Sequence, residues 1–182
     1  FFICSLVSAQ GQFEQGMGKA FQLWGEGKST EASDLFERIA SAEKASWLPN
    51  YYVALVNTTT AFRTKDKEQM NLLLSKAQKA LDAEMDKNPN NAELLVMQAM
   101  IHTAWIAFDP MTNGQKLSGT VMELYGKAQA IAPENPRVVF CKAELEPNFG
   151  ERTRNQCVLK LKKLLDFLLL LNQKPLSLQN GA

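Results

Sequence analysis

One histidine and three cysteines are spread over 182 residues. So few cysteines exclude a disulfide-dense scaffold, and no repeated Cys/His spacing marks a metal site. No apolar run approaches the ~20 residues that a membrane-spanning helix requires. No stretch alternates with a period of two, so strands are not expected. A Gly-rich phosphate loop is missing, since Gly11, Gly16, Gly18, Gly25 and Gly27 are scattered along one helix start and its turn. A G-x-S-x-G nucleophile elbow is missing as well. Charge of one sign is not in excess: 20 Lys+Arg against 19 Asp+Glu leave a net +1, which gives no reason to expect a nucleic-acid partner. What remains is 46% hydrophobic, too rich for a disordered chain, in a length that suits one domain or a short repeat array.

The small net charge hides a split. From residue 151 onward Arg152, Arg154, Lys160, Lys162, Lys163 and Lys174 stand against Glu151 and Asp166, a surplus of four positive charges. Residues 1–150 are then left at −3 of the overall +1. An acidic body and a basic tail share one chain.

The chain opens on the apolar run Phe1, Phe2, Ile3, Cys4, Ser5, Leu6, Val7, followed by Ser8 and Ala9. Small residues at Val7 and Ala9 suit cleavage after Ala9, so residues 1–9 read as the last part of a secretory signal peptide. The mature protein then begins near Gln10 and is expected to be secreted or periplasmic. Cys4 would leave with the signal. Cys141 and Cys157 would stay, either paired in an oxidising compartment or as two thiols.

From residue 12 to 144 the apolar residues recur at helical spacing. Phe13, Met17, Ala20, Phe21 and Trp24 form one stripe, and Leu35, Phe36, Ile39 and Ala40 another. Further stripes run through Leu72, Leu73, Ala77, Ala80 and Leu81, then Leu94, Leu95, Met97, Ile101, Ala104 and Trp105, then Val121, Leu124, Tyr125, Ala128 and Ile131. Breaks are expected at 25–29, 47–50, 64–67, 88–91, 109–114 and 133–136. The fold class is all-α, with roughly six to eight helices in antiparallel pairs.

The pairs resemble one another. Gly27 opens a turn, and small Ala32 is followed one helical turn later by aromatic Phe36. Tyr125, Ala128, Pro133 and Pro136 repeat that scheme, with Met70, Leu74 and Ala77 at matching offsets between them. A small residue where helices cross, with an aromatic beside it, is what close stacking requires. These residues resemble tetratricopeptide repeats, helix-turn-helix units of ~34 residues. The resemblance covers roughly residues 12–145, three pairs and the opening helix of a fourth, and is best at 120–136. It departs from the family where Lys65 and Asp66 replace the turn glycine, in an inserted loop at 109–119, and in the missing Leu-Gly pair of the first helices. The segment is also similar to small secreted bacterial proteins with such repeats, which carry a loop like that of Asp109, Pro110, Met111, Thr112, Asn113, Gly114 and Gln115. The resemblance implies a solenoid that binds a protein or peptide on a concave helical surface.

After Glu144 the pattern degrades. Residues 158–171 hold eight leucines in fourteen positions. Lys160, Lys162, Lys163 and Asp166 disfavour a membrane span. One reading is an amphipathic helix that caps the array or lies on a surface. The other is a change of reading frame near residue 151. The similar bacterial proteins continue with an acidic, aromatic, Pro-containing segment, and codons for 153–181 read one base over can give such a segment. Early stops in that frame would exclude it.

His102, between Ile101 and Thr103 in an apolar helix, reads as a core or groove histidine rather than a metal ligand, because no second ligand has suitable spacing. Glu14, Glu37, Glu43 and Asp82 lie on polar faces as solvated charge. Residues 109–116 are the best functional candidate. Asp109, Thr112, Asn113, Gln115 and Lys116 offer donors and acceptors beside Trp105 and Phe108. The competing reading is structural, with Asp109 and Asn113 satisfying turn amides. Trp24, Trp47, Tyr51 and Tyr52 line either an inner surface or the core. The faces that would carry the family's peptide-carboxylate clamp hold Met17, Phe21, Ala54, Thr58, Leu95 and Ala99, so a free C-terminus is not an expected ligand. The expectation is a non-catalytic binding scaffold without cofactor or metal, with a small-ligand protein or enzyme using residues 105–116 as the alternative.

Overall fold

The computed structural model describes the backbone of residues 3–145 and the side chains of residues 11–139 and Cys141. The basic tail and Cys157 lie outside the described residues, as do the side chains of the apolar opening. Phe1–Lys142 forms one compact unit, and Ala143–Ala182 a second, of which only the end of the last helix is described.

Seven helices, and no strand, occur among the described residues: α1 (Ile3–Gly25), α2 (Ser29–Ala42), α3 (Leu48–Ala61), α4 (Lys67–Met85), α5 (Ala92–Phe108), α6 (Pro110–Ile131) and α7 (Pro136–Leu145). The described residues are all-α, as their periodicity predicts. Ala9 falls inside the continuous α1.

Local chemistry sets the boundaries. Gly27 adopts φ +81° after α1, where the Lys28 N–H donates to the Leu23 carbonyl and the Gly27 N–H to that of Trp24. This double bond pattern closes a helix on a left-handed residue, which glycine adopts without a Cβ penalty. Asp66 opens α4 by accepting from the amides of Glu68 and Gln69. Asn91 does the same for Glu93 and Leu94 at α5, and Asn135 for Arg137 and Val138 at α7. Short polar side chains at these positions satisfy amides that the first helical turn leaves without partners.

One expected break is cut to a single residue. Only Asp109 separates α5 from α6, so the stretch expected as a loop at 109–119 is the first turns of a 22-residue helix. Pro110 sits where the helix needs no N–H donor, and its fixed φ suits that first turn. Gly114 and Gly119 lie inside α6, where glycine weakens a helix without ending it. The break expected at 47–50 also falls earlier, since α3 begins at Leu48 with Pro49 in its first turn.

Each helix packs on the next along the chain from α1 to α6, and α3 also packs on α5. Short connections make successive helices antiparallel. Ala32 and Phe36 are both fully buried, as the small-then-aromatic pattern predicts. They meet Met17, Ala20, Val53 and Val56 in one part of the core. Ala77 and Leu81 of α4 meet Tyr51 and Leu55 of α3 and Leu94, Met97 and Ile101 of α5 in the next. Trp24, Trp47 and Tyr52 are half-buried against these clusters, so the aromatics belong to the core. Phe21 stands edge-on to Phe36 at 5.2 Å and to Tyr52 at 4.6 Å, and Tyr51 packs edge-on to Trp47 at 5.4 Å.

Three polar bonds between successive helix pairs share one sequence separation. Lys76 reaches Asp34, Tyr51 reaches Glu93, and Asn135 reaches Glu93, each across 42 residues. The pairs therefore step by more than the ~34 residues of a standard tetratricopeptide unit.

Buried polar groups are almost all matched. Asn57 donates to the Ser33 hydroxyl and to the Val53 carbonyl, each at 2.7 Å. Buried Glu84 accepts from Asn50 at 2.7 Å and pairs with Lys87 at 3.2 Å. The exception among the described residues is the Thr58 hydroxyl, buried without a partner, although Thr59 and Thr60 bond back to helical carbonyls. Valine has the same shape and no hydroxyl to desolvate. Thr58→Val is therefore expected to raise stability by up to about 1 kcal/mol, as a higher urea midpoint at unchanged slope. A loss of stability would mean that the hydroxyl has a partner.

Candidate functional site

The end of α5 and the start of α6 hold the residues expected to bind. Trp105 and Phe108 are half-buried and stand edge to face at 5.9 Å. The ammonium of Lys67, at the start of α4, sits 5.6 Å from the centre of the Phe108 ring. That is within range of a cation–π attraction.

Asp109 and Asn113 serve the helix junction. The Asp109 carboxylate accepts from the Thr112 amide at 3.1 Å and caps α6. Hydrogen bonds from Thr112, side chain first and backbone second, hold its carboxyl below the usual range. The Asn113 side chain donates to the Trp105 carbonyl at 2.7 Å, which also receives the Asp109 amide at 3.2 Å. Asn113 thus ties α6 to the last turn of α5. Gln115 and Lys116 are exposed on the following turn of α6, as is Thr112. Asp109→Ala is expected to fray the start of α6, measured as faster amide exchange at Thr112 and Asn113. Gln115→Ala should leave those amides unchanged.

A separate concavity lies between α4 and α5. It is an open groove of about 410 Å³, lined by Leu74, Ser75, Gln78, Lys79, Asp82 and Trp105. Leu74, fully buried against Ala61 and Ala104, is its apolar floor, while Ser75, Lys79 and Asp82 form an exposed polar rim. Of the expected site residues only Trp105 lines this groove. Gln78, Lys79 and Asp82 were not expected as a site. Their only sequence signal is that, with Leu74 and Ser75, they recur at i, i+4 and i+8 along one face of α4.

From Asp82 on the rim runs a hydrogen-bonded row to His102. Asp82 accepts from Gln78, Gln78 and Gln98 exchange two amide bonds, and Gln98 meets Nε2 of His102 at 3.2 Å. His102 is half-buried, and that burial pushes its imidazole below the ordinary histidine value of 6.5. No group of three or more His, Cys, Asp or Glu residues that could hold a metal occurs among the described residues. No described helix is long and apolar enough to cross a membrane.

The faces considered for a carboxylate clamp are packing surfaces. Met17, Ala54, Thr58, Leu95 and Ala99 are buried, and Phe21 is half-buried against Phe36 and Tyr52. Sequence reasoning also missed a charge node at Glu93. Its carboxylate takes the Asn135 amide at 2.7 Å, the Arg137 guanidinium at 3.1 Å and the Tyr51 hydroxyl at 3.4 Å. Arg137 lies 5.5 Å from the centre of the Tyr51 ring.

Compared with protein-family models, curated proteins and solved structures, the chain matches none.

Proposed function

We propose that this protein is a non-catalytic scaffold that binds a protein or peptide segment, built as a short tetratricopeptide-like solenoid and acting outside the cytoplasm. The observation that carries the binding reading is the groove between α4 and α5. Its apolar floor at Leu74 and Trp105 suits one apolar side chain, and its Ser75, Gln78, Lys79 and Asp82 rim suits a peptide's polar flanks. The stacking of α1 to α6 and the contact of α3 with α5 support the solenoid reading. The apolar start ending in Val7, Ser8 and Ala9 supports the secreted or periplasmic reading. Asp109 and Asn113 spend their polar groups on the helix junction, which favours a peptide at the groove over a small ligand at 105–116.

Selection of displayed random peptides on the full chain tests this reading. Enriched peptides should bind the purified protein, and Trp105→Ala should weaken them by about tenfold or more, as expected of an aromatic anchor. Lys79→Glu should change their charge preference, and the exposed Glu14→Gln should change nothing. Failure to enrich any sequence, or binding indifferent to Trp105→Ala, would remove the groove from consideration.

A further inference from the structure

The row between α4 and α5 has donors and acceptors ordered from one end to the other. An ionised carboxylate only accepts. Asp82 Oδ1 takes one N–H of Gln78, at 2.7 Å from Nε2. The other N–H of Gln78 goes to Gln98 Oε1 at 2.8 Å, and Gln98 Nε2 returns one to Gln78 Oε1 at 2.9 Å. The remaining N–H of Gln98 points at His102 Nε2, 3.2 Å away. Asp82 thus fixes the orientation of both amides, and the amides in turn require a lone pair on His102 Nε2. Accepting that N–H calls for a neutral imidazole with its proton on Nδ1.

A second proton on His102 would set N–H against N–H. Flipping Gln98 would relieve that clash and break its reciprocal pair with Gln78. Flipping both amides would restore the pair and turn the Gln78 oxygen toward the Asp82 carboxylate. No arrangement keeps every bond while Asp82 is ionised and His102 is protonated.

We infer that the contact between α4 and α5 is a proton-operated joint: protonation of His102 opens the Gln78–Gln98 pair and loosens the third helix pair from the second, beside the Trp105 groove. The inference does not rest on peptide binding.

Apart from Asp82, which belongs to it, the charged groups around α5 leave this row to itself. On α4, Lys79 and Asp82 line the groove, Lys67 sits over Phe108, Lys76 pairs with Asp34 and Glu37, and Glu84 bonds Asn50. Helix α3 carries Tyr51 and Tyr52 and no charged side chain. On α6, Glu123 pairs with Lys127 and Lys116 is exposed. Asp109 caps α6, and Arg137 of α7 pairs with Glu93, nine positions before His102 on α5. Burial holds the imidazole below its ordinary 6.5. A depressed basic group contributes its full stability above the unfolded value, and that contribution declines as pH falls from 6.5 through the folded value. The joint is closed at neutral pH and opens on acidification.

His102 is the chain's one histidine, so its imidazole resonance has a single source. The full chain is titrated from about pH 8 to about pH 5 by nuclear magnetic resonance, with amide protection followed in parallel. His102 should titrate below its ordinary value, and protection should fall in α4 and α5 while α1 and α2 keep theirs. His102→Gln accepts from Gln98 without ionising and should abolish the local loss. Asp82→Asn supplies a side chain that can donate to a flipped Gln78, so it should shrink the loss while keeping His102. Asp82 is exposed, so this variant keeps the fold. Titration at or above the ordinary value overturns the inference. So does a loss spread evenly over α1 to α6, or one unchanged by Asp82→Asn.

Discussion

Replacing Phe36 with alanine is expected to cost about 3–5 kcal/mol, the largest single effect of any substitution considered for this chain. The ring is fully buried and stands against Phe21 at 5.2 Å and Tyr52 at 5.4 Å. Its removal leaves a cavity where α1, α2 and α3 meet, and backbones held at Ala20 and Ala32 can close only part of it. Such a loss is a large fraction of the 5–15 kcal/mol that typically separates folded from unfolded domains. Urea unfolding of the two proteins measures it. A change below about 1 kcal/mol would mean that Phe36 is not at the centre of this packing.

The second large effect is expected at Glu93. Its carboxylate gathers three donors from two helices: Tyr51 of α3, Arg137 of α7 and the α7 cap Asn135. The Glu93 and Arg137 side chains are only 26% and 21% exposed, so little water replaces a lost partner. Glu93→Leu leaves the guanidinium against the Tyr51 ring with no counter-charge, at a cost of about 2–3 kcal/mol. Glu93→Leu with Arg137→Leu removes both charges and should recover at least about 1 kcal/mol of that loss. Strict additivity of the two single losses would show that the pair is not coupled.

The sequence made the helices legible because most have one apolar side and a chemical start signal. Asn91 and Asn135 stand ahead of α5 and α7, and both cap as their residue type suggests. The stretch at 109–119 was misread because Pro110, Gly114 and Gly119 are the residues that usually interrupt helices. The Asp109 cap and the seating of Pro110 in the first turn reverse that reading. Trp105 was legible as an aromatic beside polar residues. Its groove partners were not, because Gln78, Lys79 and Asp82 reach it only when α4 lies against α5. The Glu93 node was hidden for the same reason: its partners are 42 and 44 residues away, and nothing local to any of them signals the meeting.

Asn57, Thr58 and Thr59 together spell the acceptor signal for N-linked sugar. In the folded chain that asparagine is buried, with its amide spent on Ser33 and Val53. An oligosaccharyltransferase could reach it only before α2 and α3 close. Secreted from a eukaryotic host, the chain would carry its own record of folding speed: unmodified molecules closed α2 on α3 first, and glycosylated ones could not close it at all.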